Sequence, residues 1–212
     1  MKTRTLVICG DLWHAAETVR RGLSSLADAG FDCEFLAEGA KCPAEIPDEF
    51  SVLVLAKANM ISAADQRPWL NEDSQAAFQF FLQRGKGLLV IHAGSAGYGE
   101  LPVMRRAMGG AFVHHPPQCT VTLNPKAGHP LTKGVVPFKV NDEHYFVKLD
   151  DAHADVFLHS QSEHGDQPAG WARIAGESRV CVLTPGHNLE VWLQPAFQKL
   201  LLNVLRWTAN SD

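Results

Sequence analysis

The sequence predicts an α/β fold in which a parallel sheet carries helices on both faces. Short strands that are apolar throughout, helices with a 3–4 apolar spacing between them, and glycines at the joints lead to that prediction. Thr5 to Cys9 is a fully apolar run ending at Gly10-Asp11, as a buried strand ends before a loop. From Ala15 to Ala29 the apolar side chains Ala16, Val19, Leu23 and Leu26 mark a helix, with Gly30 at the C-cap position. Cys33 to Leu36 is a second strand and Ser51 to Ala56 a third. A helix over Asp73 to Arg84 places Ala77, Phe78, Phe81 and Leu82 on one side and is closed by Gly85. Gly87 to Ile91 is the fourth strand.

Between Gly109 and Leu183, proline and glycine punctuate short runs: Cys119 to Leu123, Val135 to Val140, Val156 to Leu158 and Arg179 to Leu183. Irregular strands and loops are expected there. A final helix opens at Pro195, with Phe197, Leu200, Leu201, Val204 and Leu205 in one stripe. That stripe suits either core burial or a homodimer contact. No repeat or linker divides the chain, so residues 1–212 are expected to form a single domain.

Composition narrows the function. Of 212 residues, 46% are hydrophobic, and 19 Lys+Arg against 23 Asp+Glu leave a net charge of −4. A nucleic-acid partner held by bulk electrostatics needs a clustered basic excess, so none is expected. No apolar run approaches the roughly 20 residues of a membrane span, and the first ten residues, with apolar side chains only from Leu6 to Cys9, lack the h-region and cleavage site expected of a signal peptide. Five cysteines at positions 9, 33, 42, 119 and 181 form no CxxC pair, which points to the cytoplasm rather than to a disulfide framework. The motifs GxGxxG and GxxxxGK[ST] are absent, and with them any local support for a dinucleotide or nucleoside triphosphate.

Ten histidines supply the chemistry. Asp11, His14 and His92 lie at or just beyond strand ends, the functional edge of a parallel sheet. Ala93-Gly94-Ser95-Ala96-Gly97 nearly matches a serine-hydrolase elbow, but the glycines and Pro102 that follow Ser95 spoil the helix such an elbow needs. His92 at the strand end is the alternative, as base, acid or ligand. His115 precedes Pro116 and is fixed in an extended conformation, so it rather than His114 should face a pocket. In Asn141-Asp142-Glu143-His144-Tyr145, Asp142 and His144 should share one direction and Glu143 and Tyr145 the other. His187 follows the strand ending near Leu183. Trp171 and Trp192 are either core or the walls of a sugar pocket. His153 and His159 read as surface.

Taken in order, Gly10-Asp11-Leu12-Trp13-His14, Gly87 to His92, Gly109-Gly110-Ala111-Phe112 with His115-Pro116, His129 to Gly134, Asp142 to Tyr145, Trp171, Arg179-Val180, Gly186-His187, Trp192 and Trp207 resemble the ThuA-like family, named for trehalose utilisation. The resemblance implies a flavodoxin-like three-layer sandwich with a mainly parallel central sheet, similar to class I glutamine amidotransferases. Those enzymes carry a cysteine nucleophile at the elbow, where this chain has Ile91-His92-Ala93-Gly94, so thiol chemistry is not expected. The family is associated with disaccharide catabolism beside dehydrogenases that make 3-keto sugars. A small-molecule sugar or 3-keto-sugar is therefore the implied substrate, with lyase, hydrolase or isomerase acid–base chemistry. Glu143 or His92 is the expected base and His187 the acid, with Asp11, His14, Ser95, His115 and Trp171 as substrate contacts. A divalent metal on His92, Glu143 or His187 stays open, because their spacing fits no short signature. A non-catalytic sugar-binding or regulatory domain and a serine hydrolase using Ser95 are the competing classes.

Overall fold

The computed structural model describes residues 2–36, 39–150 and 154–210; His153 lies outside them. Its parallel half follows the apolar runs closely. β1 (Thr3–Cys9), β2 (Phe31–Phe35), β3 (Val52–Ala56) and β4 (Gly87–Ile91) are joined by α1 (Ala16–Leu23) and α2 (Ala76–Gln83). The first helix is shorter than its apolar spacing suggests, because Ser24–Ala27 tightens into a 3-10 turn.

The stretch from Pro102 onward is more regular than the sequence reading allowed. α3 (Pro102–Met108) was not expected, since Gly97 and Gly99 precede it. The proline sits in its first turn, where it costs no hydrogen bond, and Gly109 caps it at φ +66°. β5 (Gly110–His114), β6 (Cys119–Pro125), β7 (Phe138–Asp142), β8 (Phe146–Leu149), β9 (Asp155–Ser162), β10 (Gly165–Ala175) and β11 (Ser178–Leu183) follow. The chain ends in α4 (Leu189–Leu193) and α5 (Pro195–Thr208).

Nine strands form one sheet in the order β2-β1-β3-β4-β11-β10-β9-β6-β7, and β5 pairs with β8 separately. The strands from β2 to β11 are parallel, and those from β11 to β7 continue the sheet antiparallel. Alternation in the parallel strands divides the core into two layers. Val7, Val52, Val54, Leu89 and Ile91 face α1 and α5, whereas Leu6, Leu53, Leu55, Leu88 and Val90 face α2 and α3. The α5 stripe of Phe197, Leu200, Leu201, Val204 and Leu205 is buried in this chain's own core. It is not free to pair two chains. Among the described residues no helix is long and apolar enough to cross a membrane.

Two close contacts shape the sheet's C-terminal edge. Gly94, in the 3-10 turn His92–Ser95 after β4, packs so tightly that an added Cβ would lie 2.0 Å from the Leu55 carbonyl oxygen. Asp142 ends β7, four strands from β11 in the sheet, yet its carboxylate accepts the Gly186 and His187 amides at 2.8 and 3.0 Å. The antiparallel part therefore curls until its last strand meets the loop after β11.

Gly94→Ala should lower stability by at least about 1–3 kcal/mol, since a backbone carbonyl has no rotamer to escape into. Urea unfolding with an unchanged midpoint would show that the turn can relax. Asp142→Asn, of nearly equal volume, presents an amide donor where an acceptor is needed and should cost about 1–3 kcal/mol in the same measurement.

Candidate functional site

The site is built from loops at the C-terminal ends of the parallel strands, completed by the residue after β7. Asp11 and His14 follow β1, His92 follows β4, His187 follows β11 and Glu143 follows β7. The ring planes of His14, His92 and His187 stand at 75–78° to one another, with centroids 5.0 to 5.6 Å apart. The same Glu143 carboxylate oxygen lies 3.3 Å from His92 Nε2, 3.2 Å from His187 Nδ1 and 3.7 Å from His115 Nε2. Four residues can offer one metal-ligating atom each within a 4.8 Å span: His14, His92, Glu143 and His187. His14, expected only as a substrate contact, is the member sequence spacing did not reveal.

Each ring is steered from behind. Asp11 is buried, and its carboxylate accepts the amides of Trp13, His14 and Ala58 as well as His14 Nδ1 at 2.8 Å. This carboxylate is a positioning group with its oxygens already engaged, rather than the substrate contact expected. His92 donates from Nδ1 to the Thr184 carbonyl at 2.7 Å and stacks on Tyr145 at a centroid distance of 4.2 Å. It adopts φ +47°, a left-handed conformation that histidine holds only where its surroundings enforce it. Gly186, at φ +144°, lies against the His92 side chain, where an added Cβ would sit a tight 3.1 Å from the His92 Cβ. The Trp192 indole donates to the Gly186 carbonyl at 2.7 Å and so anchors the His187 loop from the core.

Electrostatics follow from burial and neighbours. Burial pushes the Asp11 carboxyl up, but the hydrogen bond and charge of His14, with the amides, bring it below its usual value. Burial lowers His14 against the opposing pull of Asp11. Glu143 is raised by burial and then drawn well below the carboxylate range by His187 and His92. His187 is raised, chiefly by Glu143 and against its burial. Asp142 is raised by burial, although His92 and the backbone amides oppose the shift.

Other expected residues fall elsewhere. Ser95 is buried, and its hydroxyl donates to the His92 carbonyl within its own turn, so it does not present a nucleophile to the cleft. Trp171 is core: it is 1% exposed and donates to the Met108 carbonyl in the layer beneath α3. The exposed indole is instead Trp13, at 59%, next to His14. Glu143 and Tyr145 do turn together towards His92. His144 is buried between the hydroxyls of Ser160 and Ser162, at 2.9 and 2.7 Å. His114 stacks on Phe146, and His115 reaches Glu143. A water-sized cavity of about 10 Å³ lies on the side of His14, His92 and His187 that faces Thr18, Val19 and Trp192, away from Glu143. Larger hollows of about 450 and 610 Å³ lie beside Trp69 and between Arg106 and Arg173, without a comparable convergence of side chains.

Comparison with known proteins agrees with this frame. Among solved structures, a ThuA-like protein from Parabacteroides merdae superposes with a TM-score of 0.78 at 17% identity, covering 100% of this chain and 91% of its own. A ThuA-like protein from Bacteroides uniformis gives 0.71 at 19% identity, over 97% and 91%. A glutamine amidotransferase from Thermotoga maritima gives 0.59 at 13% identity over the full length of both chains. At such low identities these superpositions show the fold alone, the glutamine amidotransferase-like α/β sandwich. No curated protein matches the sequence. The ThuA family model, described as trehalose utilisation, matches residues 6–208, and the chain belongs to that family.

Proposed function

We propose that the protein is an enzyme of carbohydrate catabolism that acts on a sugar or 3-keto-sugar at the cluster around Glu143. The observation that carries this reading is the convergence of three imidazoles, those of His92, His187 and His115, on one Glu143 carboxylate oxygen at the functional edge of the sheet. The family's description, trehalose utilisation, supports the substrate class. A cytoplasmic setting belongs to the same reading, supported by five free thiols.

His115 is the group best placed to move a proton. Its Nδ1 lies 2.8 Å from the Pro116 carbonyl, an oxygen that only accepts, so the ring proton sits there and Nε2 keeps a lone pair. At 36% side-chain exposure it faces solvent, while His92 and Glu143, at 2% and 13%, are turned towards each other. In a sugar with a ketone at C3, the C2–H is acidic. His115 takes that proton, and the electron pair passes to the ketone oxygen as an enolate held by the cluster. The enolate then re-forms the ketone and expels the oxygen at C1, which recovers the proton from His115. His92, Glu143 and His187, read from sequence as separate base and acid, act here together as the group that orients and polarises the substrate oxygens. The exposed indole of Trp13 offers a flat apolar face suited to the C–H face of a sugar ring.

A 3-keto-glucoside assayed for release of its C1 substituent tests the reading. His115→Gln should reduce kcat by about 10²–10⁴ without unfolding the protein, and Glu143→Gln by at least about 10². Trp13→Ala should raise KM about 2–12-fold with little change in kcat, the size expected of one aromatic contact. Saturable sugar binding without turnover, or turnover unchanged by both His115→Gln and Glu143→Gln, overturns the enzymatic proposal.

A further inference from the structure

We propose that His14 Nε2, His92 Nε2, His187 Nδ1 and a Glu143 carboxylate oxygen form a site for one divalent first-row transition-metal ion. The four donors come from four separate loops and lie within 4.8 Å of one another. Donors bound tetrahedrally to one ion through bonds of about 2.1 Å lie about 3.4 Å apart. The widest pair, at up to 4.8 Å, therefore closes by about 1.4 Å, a shift that side-chain rotation and small loop movement supply.

Hydrogen bonding decides what each ring presents. A carboxylate only accepts, so the Asp11 contact at 2.8 Å keeps the His14 proton on Nδ1 and leaves a lone pair on Nε2. The Thr184 carbonyl does the same for His92 at 2.7 Å. His14 Nε2, His92 Nε2 and His187 Nδ1 are all buried polar atoms without a hydrogen-bond partner. Such atoms are uncommon in native interiors, and three of them within 4.8 Å of one another and of a carboxylate oxygen are a stronger signal than any one alone. His92 Nε2 faces the Glu143 oxygen at 3.3 Å, acceptor against acceptor, an arrangement that a cation between them makes favourable. A proton shared by His187 and Glu143 satisfies that one pair and leaves the other two nitrogens unpaired. A divalent ion satisfies all four groups at once.

The donor set also selects the metal. Imidazole-rich sites favour zinc, iron, nickel and copper, whereas magnesium and calcium favour oxygen ligands. Asp11 and Thr184 are the outer partners that fix ring orientation, as metal-bound histidines require. Glu143 and His187, with side chains 13% and 18% exposed, border the side open to solvent, where His115 also stands. A water or a substrate oxygen bound to such an ion would approach from that side, where His115 Nε2 lies 3.7 Å from the Glu143 oxygen.

The test uses the full-length protein without a histidine tag, stripped with a chelator and titrated with Co²⁺ by visible absorption, then with Zn²⁺ as competitor. One equivalent of Co²⁺ is expected to give ligand-field bands that Zn²⁺ abolishes. His14→Ala and His187→Ala should remove the bands, Asp11→Asn should weaken binding about 10–100-fold, and the exposed His159→Ala should change nothing. Glu143→Gln, nearly isosteric, serves as the ligand variant if an alanine variant fails the circular-dichroism check of folding. No stoichiometric uptake by the folded native protein, or uptake that persists in Glu143→Gln and His14→Ala alike, overturns the site. The readout is coordination and not turnover, so a wrong sugar assignment leaves the metal result intact.

Discussion

The site depends on two buried carboxylates that spend their charge on backbone amides. Asp142 binds the Gly186 and His187 amides and thereby ties the far edge of the antiparallel strands to the loop after β11. Asp11 binds the amides of Trp13, His14 and Ala58 and ties the loop after β1 to that after β3. A buried carboxylate without partners is expensive, and one that accepts several N–H groups in a dry setting is held rigidly by them. Each carboxylate thus fixes a loop that carries an imidazole of the cluster. The left-handed His92 is enforced in the same way, by the Thr184 carbonyl at its Nδ1, Tyr145 on its face and Gly186 behind it. Strain of that kind costs on the order of 1–3 kcal/mol and persists only where the surroundings over-determine it.

Similarity to glutamine amidotransferases extends to the frame and stops at the nucleophile. The turn after β4, where an amidotransferase carries its cysteine, holds His92 at φ +47°. No cysteine enters the cluster: Cys9 and Cys181 are buried within β1 and β11, and burial pushes the Cys42 thiol up to about 12, away from the cluster. A sharp junction between strand and turn projects a side chain over the sheet edge whatever that side chain is. The same frame can therefore present an imidazole to a ligand instead of a thiolate to a carbonyl.

The parts of this architecture visible in the sequence are those written in local pattern. β3 and β4, apolar over five successive residues, declare a sheet buried on both faces, and the ends of such strands identify Asp11, His14, His92 and His187 as edge residues. The antiparallel strands are half-exposed and interrupted by Pro125, Pro137 and Pro168; their order is set by pairing over long sequence distances, which local pattern does not encode. α3 is short and follows two glycines, so its apolar face of Val103, Met104 and Ala107 is apparent only once α2 packs beside it. The Thr184 carbonyl that sets the His92 tautomer is a backbone atom, invisible to any reading by residue type. Trp171 shows the opposite failure, a residue type with a functional use that here fills the core.

The cluster draws on two kinds of structure. His14, His92 and His187 stand on the parallel strands, whose spacing is fixed by the ladder β1-β3-β4-β11. Glu143 arrives from β7 and reaches them only because the antiparallel extension curls over the edge. Glu143 supplies the carboxylate of the donor set, one oxygen of which lies 3.3 Å from His92 and 3.2 Å from His187. Asp142, one residue before it, locks β7 to the His187 loop, so the covalent neighbour of the converging carboxylate is also the clamp that closes the site. Placing both acidic residues at one strand end couples completion of the sheet to completion of the chemistry.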